Sequence, residues 1–266
     1  TTTTGSGGDL DGGATGDAAD GADCSGDRLF VVGTSATGVL CAAFAPVGGW
    51  TAAMDATGSS NERPAAAMLD GQKGVGVFFQ GSATGPLRSV ELTGGVCSAA
   101  ADVPGVTTKA APSLAVLAGK AQALFQGAVG AGTDHPFVAA WDPVNKWAGG
   151  APQQIDVNVF SQVPAGLGTS GAEMLAVYGG GDDNLYRVRF AAGAWAIPAL
   201  SFKDGAAVSE QANKALTPAV VGLDGGKWLV VFQEKANPTQ LRWLTGDGAT
   251  NAASKLIATA LSAQPV

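Results

Sequence analysis

Apolar residues occur along the chain in short runs that recur about every fifty residues. In each repeat a proline-led apolar run is followed by a Gly turn and by a second apolar run that ends in an aromatic residue. The clearest repeats open at Pro64, Pro112, Pro164 and Pro218, and these prolines are spaced by 48, 52 and 54 residues. An internal period of this size indicates a repeat architecture.

Each repeat also holds a third apolar run, a Gly-marked turn that commonly carries a Trp (Trp50, Trp147 and Trp195), and a weaker fourth run. Four short strands in about fifty residues are typical of a β-propeller blade. We therefore predict an all-β fold: a propeller of about five four-stranded blades. Approximate repeat limits are 27–63, 64–111, 112–163, 164–217 and 218–266. The aromatic anchors of the second strands are Phe79, Phe125, Tyr178 and Phe232, with Val32 in this place in the first repeat.

The two ends of the chain depart from the repeat. The position of a first strand for the first blade falls within residues 16–19, inside a polar segment, so we predict that this blade lacks its own first strand. Pro265 and Val266 arrive in register to start a sixth first strand. We expect either a weak closure of the ring by these residues or a natural chain that continues beyond them.

Residues 1–26 are rich in Gly, Thr, Ala and Asp, and such a composition buries too little apolar surface to offset its ordering entropy. We predict a flexible tether. It resembles the linkers that follow the lipidated cysteine of surface lipoproteins in proteobacteria, which implies export and a lipid anchor upstream. The acidic residues from Asp9 to Asp23 fail the ligand spacing of a calcium loop, so no metal is expected.

Composition narrows the range of partners. The net charge is −7 with only 15 Lys and Arg, and no basic stripe is present, so nucleic acid is not an expected partner. The longest apolar runs have about eight residues, which is too short for a transmembrane segment. The chain carries no motif for a cofactor.

Three cysteines are present: Cys24, Cys41 and Cys97. Cys24 precedes a second strand and Cys97 precedes a fourth strand in the next blade, and the corresponding turns share one face of a propeller. We predict a Cys24–Cys97 disulfide with Cys41 as a buried free thiol. A Cys24–Cys41 pair and three reduced thiols are the alternatives.

Catalysis has little support in the sequence. His135 is the single histidine and lies in a loop, and no hydrolase or zinc-peptidase motif occurs. Most acidic residues lie in turns, where Asp beside Gly or Asn is an ordinary choice. We expect no catalytic residues; a degenerate glycoside hydrolase would instead place carboxylates together at the propeller axis.

Candidate ligand-binding residues come from repeat-equivalent positions. Gln80, Gln126 and Gln233 follow the anchor aromatics, and an amide beside an aromatic ring suits a sugar hydroxyl and a pyranose face. The alternative is a structural role, with each Gln bonded to a neighbouring backbone and the Trp residues packed between blades.

Residues 176–195 (AVYGGGDDNLYRVRFAAGAW) resemble the F-x-x-G-x-D-N-x-L-Y … G-x-W phrase of bacterial propeller lectins, and the repeat rhythm is similar to that of fucose-type and tachylectin-type propellers. The resemblance implicates Asp183, Asn184, Leu185, Tyr186 and Trp195 in ligand binding. The other repeats lack the Asp-Asn pair, so one or two sites, or none, are expected.

These patterns favour a secreted or surface-tethered bacterial propeller that binds a glycan without catalysis. A protein-interaction or structural propeller in a surface assembly is the alternative, and a degenerate glycosidase is a third hypothesis. A lectin should carry pockets with polar and aromatic groups between blades, whereas a scaffold should show an apolar contact face.

Overall fold

The structure is a computed structural model that describes residues 29–34, 38–45, 48–56, 60, 62–70, 73–79, 84–127, 135–147, 151–155, 165–196, 200–204, 208–213, 216–237, 239–247 and 250–258. The predicted tether, the position of the missing first strand, Cys24, Gln80 and the last eight residues lie outside these ranges. None of the described residues belongs to a helix that is long and apolar enough to cross a membrane.

The described residues form five antiparallel sheets of four or five strands. The first contains β1 (Leu29–Thr34), β2 (Val39–Ala45), β3 (Gly49–Trp50) and β4 (Met54–Asp55). The second contains β5 (Ala65–Asp70), β6 (Lys73–Phe79), β7 (Gly85–Thr93), β8 (Val96–Cys97) and β9 (Ala101–Thr108). The third contains β10 (Ser113–Leu117), β11 (Lys120–Gln126), β12 (Pro136–Trp141) and β13 (Gln153–Gln154).

The fourth sheet contains β14 (Gly166–Ser170), β15 (Glu173–Gly179), β16 (Leu185–Ala191), β17 (Ala194–Trp195) and β18 (Leu200–Ser201). A hairpin of β19 (Lys203–Asp204) and β20 (Val208–Ser209) follows it. The fifth contains β21 (Ala219–Leu223), a 3-10 turn (Asp224–Gly226), β22 (Lys227–Gln233), β23 (Leu241–Gly246) and β24 (Lys255–Ala258).

These five sheets are the blades of a β-propeller, which confirms the fold predicted from the repeat. In blades two to five the strands pair in chain order from an inner to an outer strand. In the first blade β1 pairs with β2 in the manner of a second strand, and β3 and β4 together occupy the outer position. Within the described residues this blade starts at its second strand; the predicted absence of a first strand concerns residues 16–19, which lie outside them.

Each of the three internal blades packs one side on the preceding blade and the other on the next, and in every blade we call these sides the backward and forward faces. The second strands show the alternation: Leu175 and Val177 on the forward face of blade four meet Trp228, Val230 and Phe232 on the backward face of blade five. Successive residues of a strand point to opposite faces. A strand covered on both faces therefore reads as a continuous apolar run, which explains the second runs of the sequence repeat.

The same packing shifts the repeat register of the second blade by one residue. Phe125, Tyr178 and Phe232 lie on backward faces, and in the second blade Phe78 has this place, because it packs against the first blade. Phe79 lies on the forward face. The position equivalent to Gln126 is therefore occupied by Phe79 and not by Gln80.

Inner strands approach each other closely between blades four and five. A Cβ added to Gly222 would lie 1.7 Å from the carbonyl oxygen of Thr169, and one added to Gly166 would lie 2.0 Å from that of Pro218. The Ser170 hydroxyl donates a 2.6 Å hydrogen bond to the Leu223 carbonyl across the same junction. Glycine is therefore required at these positions by contact with the neighbouring backbone.

A cavity of about 520 Å³ lies among the inner strands of blades two to five. Its lining is aliphatic apart from Thr169, and none of the described residues that line it is acidic. In the described part of the chain, carboxylates therefore do not converge on this axial cavity.

The disulfide prediction is wrong. Cys41 of β2 bonds to Cys97 of β8, with Cα atoms 6.5 Å apart, so neither the Cys24–Cys97 pair nor the Cys24–Cys41 pair forms. Cys41 is buried as expected, but it is not a free thiol, because it lies on the forward face of the first blade and meets the second blade there. The prediction compared turns that share one end of the propeller and overlooked the contact between sheet faces.

Candidate functional site

The Asp-Asn pair of the lectin-like phrase closes the hairpin between β15 and β16. Asp183 has a positive φ of 68°, a conformation that Asp tolerates better than most residues. The Asp182 carboxylate accepts hydrogen bonds from the Asn184 backbone N–H (3.1 Å), the Asn184 amide (2.6 Å) and the Tyr186 hydroxyl (2.8 Å). These polar groups hold the turn in one conformation.

A segment from Glu210 to Asn213, which we call the cross-blade segment, connects this turn to the fifth blade. The Ala212 N–H donates to the Asp183 carbonyl (3.0 Å), and the Asn213 N–H donates to the Gln233 carbonyl (2.9 Å). The Asn213 side-chain amide also donates to the Gln233 side-chain oxygen. Asp183 and Gln233 were predicted as ligand-binding residues from separate repeats. Both accept hydrogen bonds from the cross-blade segment.

A further ion pair joins the two blades at this point. The Lys235 ammonium lies 2.7 Å from the Asp183 carboxylate. Lys235 follows the second strand of blade five, and Asp183 follows that of blade four. The polar groups at the hairpin end of this junction therefore belong to both blades.

Arg187 lies inside the junction on the forward face of β16 and is only 6% exposed. Its guanidinium carbon is 4.8 Å from the centre of the Phe202 ring, and Nη1 donates a long 3.5 Å bond to the Asn251 side-chain oxygen. Burial lowers the pKa of Arg187, and the charge of Asp247 opposes this shift. The side chain is a desolvated cation supported by an aromatic face.

Glu210, in the cross-blade segment, is a second buried charged residue at this junction and is 7% exposed. Its two carboxylate oxygens accept bonds from the Ser254 N–H (3.0 Å) and the Ser254 hydroxyl (2.9 Å). Arg242 donates in turn to the Ser254 hydroxyl (2.7 Å) and to Glu234 (3.2 Å). A network of charged and hydroxyl groups thus crosses the junction between blades four and five, and we call it the junction network.

Leu185 packs between blades four and five, whereas Gln126, Tyr186 and Trp195 lie at the junction between blades three and four. Gln126 is 2% exposed and Trp195 is 6% exposed. Tyr186 stacks on Tyr178 with 6.2 Å between ring centres. Trp195 pairs with Phe190, four positions along β16 from Tyr186, a separation of roughly 13 Å. Tyr186 and Trp195 therefore do not face one small ligand together.

A second polar cluster joins blades two and three. The Glu91 carboxylate accepts bonds from the Trp141 indole (3.2 Å) and from Lys146 (2.7 Å). The Trp147 indole donates to the Ser89 hydroxyl (2.9 Å). These hydrogen bonds join the third strand of blade two to the third strand and the following turn of blade three.

Sequence reasoning missed Arg187, Glu210 and Ser254. Arg187 had a detectable signal: it occupies a strand position at which the other repeats carry small or apolar residues such as Ser89 and Val138. Glu210 had none: the cross-blade segment has a counterpart in the second blade, where Thr108 pairs with Gly85 and bridges to Gly127, but the repeat pattern did not reveal it. No group of His, Cys, Asp and Glu among the described residues could hold a metal ion.

Comparison with known proteins gives neighbours in structure alone. No family model and no curated protein matches the chain. The fucose-specific lectin of Aleuria aurantia, described as a six-bladed β-propeller, is 15% identical with a TM-score of 0.54, over 89% of this chain and 80% of that one. A variant of it was solved in complex with Fucalpha1-6GlcNAc.

Two other solved structures share the architecture. BP39L lectin from Burkholderia pseudomallei is 15% identical with a TM-score of 0.66, over 87% of this chain and 66% of that one. An exo-beta-1,3-galactanase from Phanerochaete chrysosporium is 11% identical with a TM-score of 0.51, over 88% of this chain and 55% of that one. At these identities the likeness establishes the propeller fold and nothing further.

Proposed function

We propose that the protein is a non-catalytic propeller that binds carbohydrate at the junction between its fourth and fifth blades. The observation that carries the proposal is the presence of two largely buried charges at this junction: Arg187 beside the ring of Phe202, and Glu210 bonded to Ser254 in the junction network. Burying a cation and a carboxylate is costly unless their hydrogen bonds are supplied. Their presence at a blade junction suggests selection for recognition rather than for packing.

The chemistry of the junction network suits a polyhydroxylated ligand. A sugar hydroxyl donates to a carboxylate and accepts from a guanidinium, and the apolar face of a pyranose packs on an aromatic ring. Each Glu210 oxygen accepts one bond from Ser254 and keeps a further lone pair. The proposal assigns these lone pairs to the hydroxyl groups of the ligand.

The structural neighbours support this class of ligand. The lectins from Aleuria aurantia and Burkholderia pseudomallei share the fold, and the first was solved with fucosides. The galactanase shows that the same fold also carries hydrolysis. In this chain Glu210 bonds Ser254 and Glu234 bonds Arg242, which favours carboxylates that hold a network over a catalytic pair.

The disulfide supports an exported location. Disulfides persist in oxidising compartments such as the cell exterior, and Cys41–Cys97 links the first two blades. We therefore propose a secreted or outer-surface protein of a bacterium, anchored through a lipid upstream of the Gly-rich segment.

A protein-interaction or structural role is the second candidate. It is favoured by apolar side chains left exposed on the two end blades. In that role the junction network would serve stability alone, and changes to it would alter unfolding without altering any sugar affinity.

A glycan-array screen with matched variants tests the proposal. Glu210→Gln keeps the shape and removes the charge, and we expect it to reduce binding at least tenfold. Glu91→Gln makes the same change at the junction of blades two and three and should leave binding unchanged. A blank array with folded wild-type protein, or equal losses in both variants, contradicts the proposal.

A further inference from the structure

Exposed apolar side chains concentrate on the two end blades. Eight large apolar residues among those described are exposed, and two of these, Val96 and Val144, lie at turns of internal blades. The other six are on the first and fifth blades: Val31, Trp50, Val221, Leu223, Leu256 and Ile257. On the fifth blade Val221 and Leu223 lie two residues apart in β21 and so point to the same face; contiguous exposed apolar surface marks an interaction site.

The first blade leaves its backward face uncovered. Trp50 pairs with Phe44 as Trp195 pairs with Phe190, and the ring centres are 5.3 Å apart in both pairs. Trp195 is 6% exposed because the preceding blade covers it, whereas Trp50 is 57% exposed. The same structural unit is thus buried in an internal blade and open at the end of the array.

The fifth blade leaves its forward face uncovered. Val77, Leu124 and Val177 hold the equivalent forward position in blades two to four, and each has 0% exposure. Val231 holds this position in blade five and is partly exposed. Val221 on the adjacent inner strand is 53% exposed.

The two uncovered faces are complementary in kind. At each of the four internal junctions a forward face packs on a backward face. Among the described strands, none of the first blade forms an extended contact with one of the fifth. Within the described part of the chain, the first blade thus has an unpartnered backward face and the fifth blade an unpartnered forward face.

We propose that the forward face of the fifth blade binds the backward face of the first blade of a second copy of this chain. A second copy is the occupant because every internal junction pairs a forward face with a backward face. The second copy offers the backward face of its first blade to the forward face of the fifth blade. The contact is heterologous, so it leaves one free face at each end of a dimer and permits further addition.

Complementary variants test this head-to-tail arrangement. Trp50→Asp blocks the backward face and Val221→Asp blocks the forward face. By light scattering coupled to gel filtration, we expect the wild-type chain to exceed the monomer mass as concentration rises and each variant alone to be a monomer. An equimolar mixture of the two variants should form a dimer and nothing larger, because each retains one working face.

Val96→Asp is the control, since it changes an exposed valine on an internal blade and should associate like the wild type. A wild-type chain that stays monomeric at all concentrations overturns the proposal, as does a variant mixture that stays monomeric. If the monomer also shields Trp50 from acrylamide quenching, judged against Trp50→Phe, the chain's own terminal residues cover the face instead.

Discussion

Replacing Gly222 by alanine tests the contact between the inner strands of blades four and five. The new Cβ would lie 1.7 Å from the Thr169 carbonyl oxygen, well inside any van der Waals contact. Because the obstacle is backbone in a paired strand, the two blades have to separate. Overpacking in well-ordered cores costs about 1–3 kcal/mol and sometimes more, and for a backbone clash we expect at least about 3 kcal/mol.

Gly33→Ala is the matched control. Gly33 also lies within a strand, but a Cβ there meets no heavy atom within 4 Å. A compatible Gly-to-Ala change alters stability by less than about 1 kcal/mol, usually in the stabilising direction. Equilibrium urea unfolding compares the two, and hydrogen exchange locates the loss in β14 and β21. Equal unfolding midpoints for Gly222→Ala and Gly33→Ala would refute the proposed approach of these strands.

Further predictions concern the disulfide, the blade tryptophans and one turn carboxylate. Removing the Cys41–Cys97 link, which spans 56 residues, should destabilise the chain by about 4 kcal/mol on the loop-entropy relation, measured by unfolding with and without a dithiol reductant. Non-reduced peptide maps should join Cys41 to Cys97; a peptide joined through Cys24 would disprove the link. Trp195→Ala should lower the free energy of unfolding by about 3–5 kcal/mol, because it truncates a buried aromatic residue. Trp50→Ala should lower it far less in the monomer. Equal shifts in the thermal unfolding midpoint would count against an exposed backward face on the first blade. Hydrogen bonds from the Asn145 and Val144 backbone N–H groups lower the pKa of Asp142, so its contribution to stability should be present above its unfolded pKa and lost as pH falls through the lower folded value. The stability difference from Asp142→Ala should therefore shrink in acid, and a difference that is constant from pH 6 to pH 2 would argue against it.

The repeat was readable from the sequence because its physical cause is local and periodic. Strands covered on both faces need continuous apolar runs, and the turns between them need Gly, so the period of about fifty residues follows from the blade itself. The absence of a first strand from the first blade stays a prediction, made because residues 16–19 are too polar for an inner strand.

Contacts between blades could not be predicted from the sequence repeat. Whether Phe78 or Phe79 meets the preceding blade depends on a shift of one residue, which places a side chain on the opposite face. The pairing of Cys41 with Cys97 depends on which sheet faces meet. The two residues lie in different repeats, so the pattern within one repeat does not predict their contact. Glu210 reaches the junction through a segment whose counterpart in the second blade bridges through Thr108 and Gly127, but the spacing of the apolar runs did not reveal this correspondence.

Hydrogen–deuterium exchange with methyl α-L-fucoside, and with the glycan that binds most strongly on the array, tests the central claim most directly. A carbohydrate site between the fourth and fifth blades predicts slower exchange in the cross-blade segment, Glu210–Asn213, and around Asn251 and Ser254. Exchange in blades one to three should be unchanged. Protection confined to another junction, or no protection by a glycan that binds the chain, would contradict a carbohydrate site between the fourth and fifth blades.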